Sequence, residues 1–168
     1  MSWDDNIKVE LINHQVYMMA PPSVKHQSLV GKLYTQLRNF LEGKPCEVYS
    51  GVGVRLNPKN DDSDGTTVIP DLIVVCDEEK LKDDRAVKGA PDFIIEILSL
   101  NNRGHDLITK KDLYEEAGVK EYWVIDQIKH NKIYKYILLN GSYFENLIDL
   151  SEGLKVPVEI IKGCFLEF

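Results

Sequence analysis

Two carboxylates stand where the surrounding sequence is built to exclude charge. Glu96 interrupts the run Phe93-Ile-Ile-Glu-Ile-Leu98, and Asp71 interrupts Val68-Ile-Pro-Asp-Leu-Ile-Val-Val75. A carboxylate inside a covered strand loses hydration at a cost of several kcal/mol unless a cation or a donor meets it. Either acid alone reads equally well as an ion-paired side chain or as a cap for backbone N–H groups. Two of them on consecutive strands have a further option, because neighbouring strands run about 4.8 Å apart. Such a pair can share a divalent cation, and oxygen donors suit Mg²⁺ or Mn²⁺. Asp92 repeats the Pro-Asp dipeptide, but it precedes Glu96 by four residues on the same extended segment. That is roughly 13 Å at 3.3 Å per residue, too far for one ion to be held by both.

The elements that must carry these acids follow from periodicity. Residues 8–19 alternate as two short strands turning at Asn13-His14. Pro21-Pro22 ends that run, and Ser23 is a suitable N-cap for a helix to about Leu41. Leu29, Leu33, Leu37 and Phe40 give it an apolar stripe, and Gly43 a stop. Residues 46–56 alternate as one long half-buried strand, within which Gly51-Val-Gly53 suggests a bulge or a close backbone approach. Residues 57–66 form a polar loop. Val68–Cys76 and Phe93–Leu100 read as central strands covered on both faces. A second helix spans about His105 to Ala117 and closes at Gly118, followed by a buried strand over Glu121–Asp126. Ile133–Leu139 and Tyr143–Ile148 flank Asn140-Gly141, a strong hairpin signal. From Ser23 the order is α-β-β-β-α-β with an antiparallel appendage, which suits an α/β (α+β) domain with helices on a mixed sheet.

Size and composition set the outer bounds. A chain of 168 residues fits one domain, residues 1–168, and a 43% hydrophobic fraction with mean hydropathy of −0.24 suits a folded core. No apolar run approaches the roughly 20 residues that span a bilayer, and the acidic start is unlike a signal peptide, so no membrane partner is expected. Cys46, Cys76 and Cys164 show no CxxC spacing. The first two fall in strand-like runs and read as reduced core thiols, which implies a reducing cytoplasm. The net charge of −7 argues against a broad polyanion-binding face, so any basic surface must be local. Much of the acid sits in loops, Asp61, Asp62 and Asp64 among it, and reads as solvated charge. No GxGxxG after a strand, P-loop or G-x-S-x-G elbow is present.

Pro70-Asp71 followed by Glu96 in a buried strand resembles the paired-acid core of the PD-(D/E)XK nucleases. The likeness is closer to the bacterial restriction-endonuclease-like domain family long listed as of unknown function. It extends through Glu10-Leu-Ile, Val16-Tyr-Met-Met-Ala-Pro-Pro, His26, Ile69-Pro-Asp-Leu-Ile-Val-Val and Gly89-Ala-Pro-Asp-Phe-Ile-Ile-Glu-Ile-Leu-Ser99. It continues through Lys110 and Tyr114 to Ala117-Gly-Val-Lys-Glu-Tyr-Trp-Val-Ile-Asp126. The resemblance implies a restriction-endonuclease-like fold and Mg²⁺- or Mn²⁺-dependent cleavage of DNA. The metal would be held by Asp71, Glu96 and the Ile97 carbonyl.

One departure bears on the chemistry. The superfamily pattern is Glu-x-Lys, whereas this chain reads Glu96-Ile97-Leu98. Lys110 is the candidate substitute. At about 100° per residue it points with Leu107, Leu113, Tyr114 and Ala117 toward the sheet, while Lys111 falls on the rim. From there it could hold the attacking water or the scissile phosphate, or form a salt bridge to Asp106 or Glu96. His26 lies on the apolar stripe of the first helix. It is either a satisfied core histidine or, as the resemblance implies, a proton carrier or phosphate contact at the site. The catalytic candidates are therefore Asp71, Glu96, Lys110 and His26. The alternative is a catalytically silent nucleic-acid or protein-binding module, as a monomer or a homodimer.

Overall fold

The computed structural model describes residues 8–57, 65–99 and 105–168, with side chains from 108 onward in the last segment. The Asp61–Asp64 acids, and Asp106 as a partner for Lys110, lie outside the described residues and side chains. Thirteen strands and two α-helices are present among the described residues.

β1 (Val9–Ile12) and β2 (Gln15–Met18) form the expected hairpin, and Asn13 and His14 take the positive φ values that a tight turn demands. α1 spans Val24–Leu41, with Ser23 Oγ accepting the His26 N–H at 3.2 Å. It buries His26, Val30, Leu33, Leu37 and Leu41, a stripe spaced at three and four residues. Leu33 and Leu37 lose all solvent contact. Trimming either to Ala would cost about 2–5 kcal/mol.

The expected strand over 46–56 is broken. β3 (Glu47–Ser50) and β4 (Val54–Arg55) join different sheets, and Gly51, at φ +63°, makes the bend. The expected strand over 68–76 divides in the same way into β5 (Thr67–Val68) and β6 (Leu72–Val75), separated by Ile69-Pro70-Asp71. Proline lacks the N–H that would continue a ladder, so the chain changes sheets where the acid sits. β7 (Val87–Lys88), β8 (Phe93–Ile97) and β9 (Glu121–Asp126) follow. The helix expected from His105 opens as a π-helical segment over His105–Lys110 and becomes α2 only at Lys111–Ala117, capped by Gly118 at φ +85°. β10 (Lys132–Leu139) and β11 (Ser142–Asp149) form the Asn140-Gly141 hairpin, and β12 (Lys155–Pro157) pairs with β13 (Phe165–Glu167).

Two sheets result. One has the order β2-β1-β5-β4-β7 and the other β11-β10-β9-β8-β6-β3; only β4–β7 and β8–β9 run parallel. The larger sheet is covered on both faces. Leu72, Val74, Phe93, Ile95, Trp123 and Ile125 pack toward α1 and the C-terminal ribbon. Ile73, Val75, Ile94, Tyr122 and Val124 pack toward α2 and the smaller sheet. Strand parity sends Glu96 to the second side with Ile94. The architecture is therefore the mixed α+β one expected, with a second sheet that periodicity did not separate.

Cys46 and Cys76 are not the reduced thiols expected. They form a disulfide. The β3–β6 register pairs Glu47 with Val75, which makes the cysteines the next opposed pair. The thiol argument for a reducing compartment falls with it. Cys164 is a free, buried thiol, pushed up to about 11 by burial and the nearby Glu121 charge. Among the described residues no helix is long and apolar enough to cross a membrane.

Candidate active site

The site lies at the seam where the chain passes from the smaller sheet to the larger. β6 and β8 run antiparallel with Leu72 opposite Ile95, so Asp71 and Glu96 meet one step beyond the last pair. The Asp71 N–H donates to Glu96 Oε2 at 3.3 Å, and Asp71 Oδ2 accepts the Ile97 N–H at 2.8 Å. Each acid thus caps the other's strand end, and both line a cavity of about 90 Å³ with His26, Ile97 and Lys110.

His26 reaches this point from the first turn of α1. Its Nε2 lies 3.1 Å from both Asp71 Oδ2 and the Ile97 carbonyl oxygen. A carbonyl can only accept, so this ring nitrogen carries the hydrogen. The helix cap that receives the His26 N–H also sets the ring's entry angle, which ties local capping to the site.

Lys110 is buried at 2% exposure and sits between two glutamates, 2.8 Å from Glu96 Oε1 and 2.8 Å from Glu10 Oε1. The Tyr114 hydroxyl donates to the same Glu96 oxygen at 3.0 Å. Burial, then the Glu96 charge, hold the Tyr114 pKa well above its ordinary range, so the phenol keeps its proton and remains a donor. Glu10 Oε1 also accepts the Ile69 N–H at 2.8 Å, which fastens the Pro70-Asp71 crossing to β1.

All four sequence candidates, Asp71, Glu96, Lys110 and His26, are brought together with the Ile97 carbonyl. Lys111 sits on the rim beside Asp112 and Glu115 as the helical phase indicates. Asp92 is separate: it accepts the Cys76 N–H at 2.8 Å and pairs with Lys120 at 2.6 Å. Glu10 and Tyr114 belong to the site but carried no role in the sequence reading. The signal for Glu10 was its parity with Ile12, which points it inward from a short strand.

The oxygens here are of the kind a small hard cation takes. Asp71 Oδ2 and the Ile97 carbonyl converge on His26 Nε2–H at 3.1 Å, a position a cation would take only by displacing that hydrogen bond, and the Asp71 N–H meets Glu96 Oε2. Among the described residues no three His, Cys, Asp or Glu side chains gather at metal-binding geometry. A cation here would therefore rest on two carboxylates and a main-chain carbonyl, with water completing its shell. That is how Mg²⁺ is commonly held.

Known proteins share this architecture. A crystal structure described as a putative nuclease belonging to DUF820, from Anabaena variabilis, superposes with a TM-score of 0.70 at 16% identity, over 89% of this chain and 80% of that one. At that identity the likeness is one of fold. An uncharacterized protein of Synechocystis sp., slr1290, is 25% identical across 96% of this chain and 87% of its own length. The family model Uma2, "Putative restriction endonuclease", matches residues 2–163, and the chain belongs to that family.

Proposed function

We propose that the chain is a metal-dependent endonuclease that hydrolyses DNA phosphodiester bonds at the Asp71–Glu96 pocket. The observation that carries this reading is the meeting of two strand-end carboxylates and a main-chain carbonyl beside a buried lysine. A Mg²⁺ or Mn²⁺ ion at such a site would polarise the phosphoryl group and acidify a bound water. Asp71 and Glu96 would hold that ion with the Ile97 carbonyl. Lys110 takes the position of the missing Glu-x-Lys lysine, its ammonium neutralising charge that grows on the phosphate in the transition state. Tyr114 and Glu10 hold Glu96 and Lys110 in register. With a cation on Asp71 and the Ile97 carbonyl, the His26 Nε2–H would be released from those oxygens to donate to a phosphate oxygen at the cavity wall.

A second reading rests on one observation: the Lys110 ammonium already has two carboxylates as partners. A lysine so neutralised suits a silent nuclease fold that binds nucleic acid or protein without cutting it. One experiment separates the two. Wild-type protein with Mn²⁺ should nick supercoiled DNA, with chelator abolishing cleavage, and Mn²⁺ should raise its Tm because a ligand of the native state alone stabilises it. Asp71→Asn and Glu96→Gln should lose both effects. Cleavage that survives in Glu96→Gln points to a contaminant and returns the second reading.

A further inference from the structure

The protein carries a net charge of −7, so a nucleic acid needs a local path to the acidic pocket. α1 supplies one. His26 and Ile97 line the acid cavity, and also a second hollow of about 370 Å³ shared with Lys25 and Gln127. Lys25 and Gln127 in turn line a third, of about 420 Å³, with Ser28, Lys32 and Asn131. The shared residues make these three hollows neighbours, a stepped depression from the carboxylates past Lys25 to Lys32.

We propose that one strand of the nucleic acid leaves the site along this depression, with phosphates on Lys25 and Lys32 and the Gln127 amide facing the bases. The proposal rests on the nuclease reading above and gives it a direction. Lys25 and Lys32 are seven residues apart, so they share a helix face, roughly 10 Å apart along the axis. That is about three nucleotides at 3.4 Å each along one duplex strand. Both side chains are exposed, and neither pairs with a carboxylate among the described residues. Of the other surface lysines, Lys82, Lys88, Lys120, Lys132 and Lys155 are tied to acids, while Lys8, Lys129 and Lys162 are exposed without such a tie among the described residues but lie outside the second and third hollows. Ser28 lies between Lys25 and Lys32 along α1 and lines the same hollow, whose one acidic side chain among the described residues is Glu152. A polyanion is the ligand that two unneutralised cations beside a row of amides and a hydroxyl would hold.

Fluorescence anisotropy of labelled DNA, duplex and single strand, titrated in chelator over a range of salt, tests the path. Lys25→Gln/Lys32→Gln should bind roughly tenfold more weakly, and its slope of log K against log salt should be shallower by about 1.8 on duplex, two phosphates at 0.9 each, and by about 1.4 on single strand, at 0.7 each. Lys82→Gln/Lys162→Gln removes the same charge elsewhere and should leave both quantities near wild type. The Mn²⁺ rise in Tm should persist in Lys25→Gln/Lys32→Gln, since neither lysine touches Asp71 or Glu96. Equal losses in both double variants would reduce the effect to net charge and overturn the path. Unchanged binding in Lys25→Gln/Lys32→Gln would overturn it while leaving the nuclease reading standing. Wild-type protein that binds no DNA yet keeps its Mn²⁺ response would remove both the path and the DNA substrate, but not the metal site.

Discussion

Among the described residues two lysines, Lys110 and Lys135, are buried against glutamates, and they do different things. Lys135, 3% exposed, touches Glu159 at 2.9 Å, the Pro157 carbonyl at 2.6 Å and Glu121 at 3.7 Å, above the ring of Trp123. Glu121 spends its oxygens on the Trp123 indole N–H at 2.7 Å and the Ile160 N–H at 3.0 Å. Glu159 lies at the surface, no second strand-end acid joins Glu121 there among the described residues, and the cluster fastens the C-terminal segment to β9 and β10. Lys110 is equally buried and equally paired, yet its glutamate opens on a cavity beside a second carboxylate, an imidazole and a main-chain carbonyl. Burial with charge is common to a strut and a site. What separates them is a second acid at a strand end and a route to solvent, because chemistry needs oxygens that a ligand can reach.

The contrast breaks most sharply at the acids. Asp71→Asn should take cleavage to background and erase the Mn²⁺ effect on Tm, whereas Glu121→Gln should leave both intact. Plasmid nicking and thermal melts on the two proteins check this, and loss of cleavage in Glu121→Gln would dissolve the distinction. The lysines come next. Lys110→Ala should lower the rate per folded molecule by roughly 10²–10³, as removal of a charge-stabilising donor does. Lys135→Ala should instead cost about 3–5 kcal/mol in denaturant melts, because Glu121 stays buried without its cation, with the rate per folded molecule unchanged. Exchanged outcomes would make Lys110 the strut.

Tyr114→Phe removes one hydrogen bond to Glu96 and should cost about 1 kcal/mol of stability, with a small loss of rate. A large fall in rate with no change in Tm would show that the phenol acts on substrate rather than on Glu96.

The smallest effect is one of slope with pH. Burial raises the Glu121 pKa above the ordinary glutamate range, against the donors that lower it. The native state therefore holds that proton more tightly, and its stabilising contribution, full in acid, is lost as pH rises through the raised value. Asp92 goes the other way. Burial opposes its ionisation, but the Lys120 ammonium and the Cys76 N–H outweigh it and hold the pKa below the ordinary range. Its contribution is full above the ordinary aspartate pKa and is lost as pH falls through the lowered one. Melting curves across pH should then show Glu121→Gln gaining on wild type as pH rises, and wild type losing its advantage over Asp92→Asn as pH falls. Slopes of the same sign in both would contradict the assignment.

Most of the elements were written in local patterns. Ser23 with the Leu33–Leu37 stripe, the Asn13-His14 and Asn140-Gly141 turns, and the apolar runs around Asp71 and Glu96 each depend on neighbours in the chain. Charge inside an apolar run is itself a local signal, so both acids were legible, and helical phase was enough to turn Lys110 inward. What depends on partners distant in sequence was not. The breaks at Gly51 and Pro70 read as continuous strand, since alternation does not say which sheet a residue joins. Tertiary register alone opposes Cys46 to Cys76. Glu10, fifty-nine residues from Ile69 in sequence, meets the Ile69 N–H and Lys110 only once the β1–β2 hairpin docks on β5. Sequence determined which groups the interior would hold and which way their elements would turn them. The fold decided which groups meet, because a hydrogen bond across the seam is a matter of a few ångströms that no local periodicity encodes.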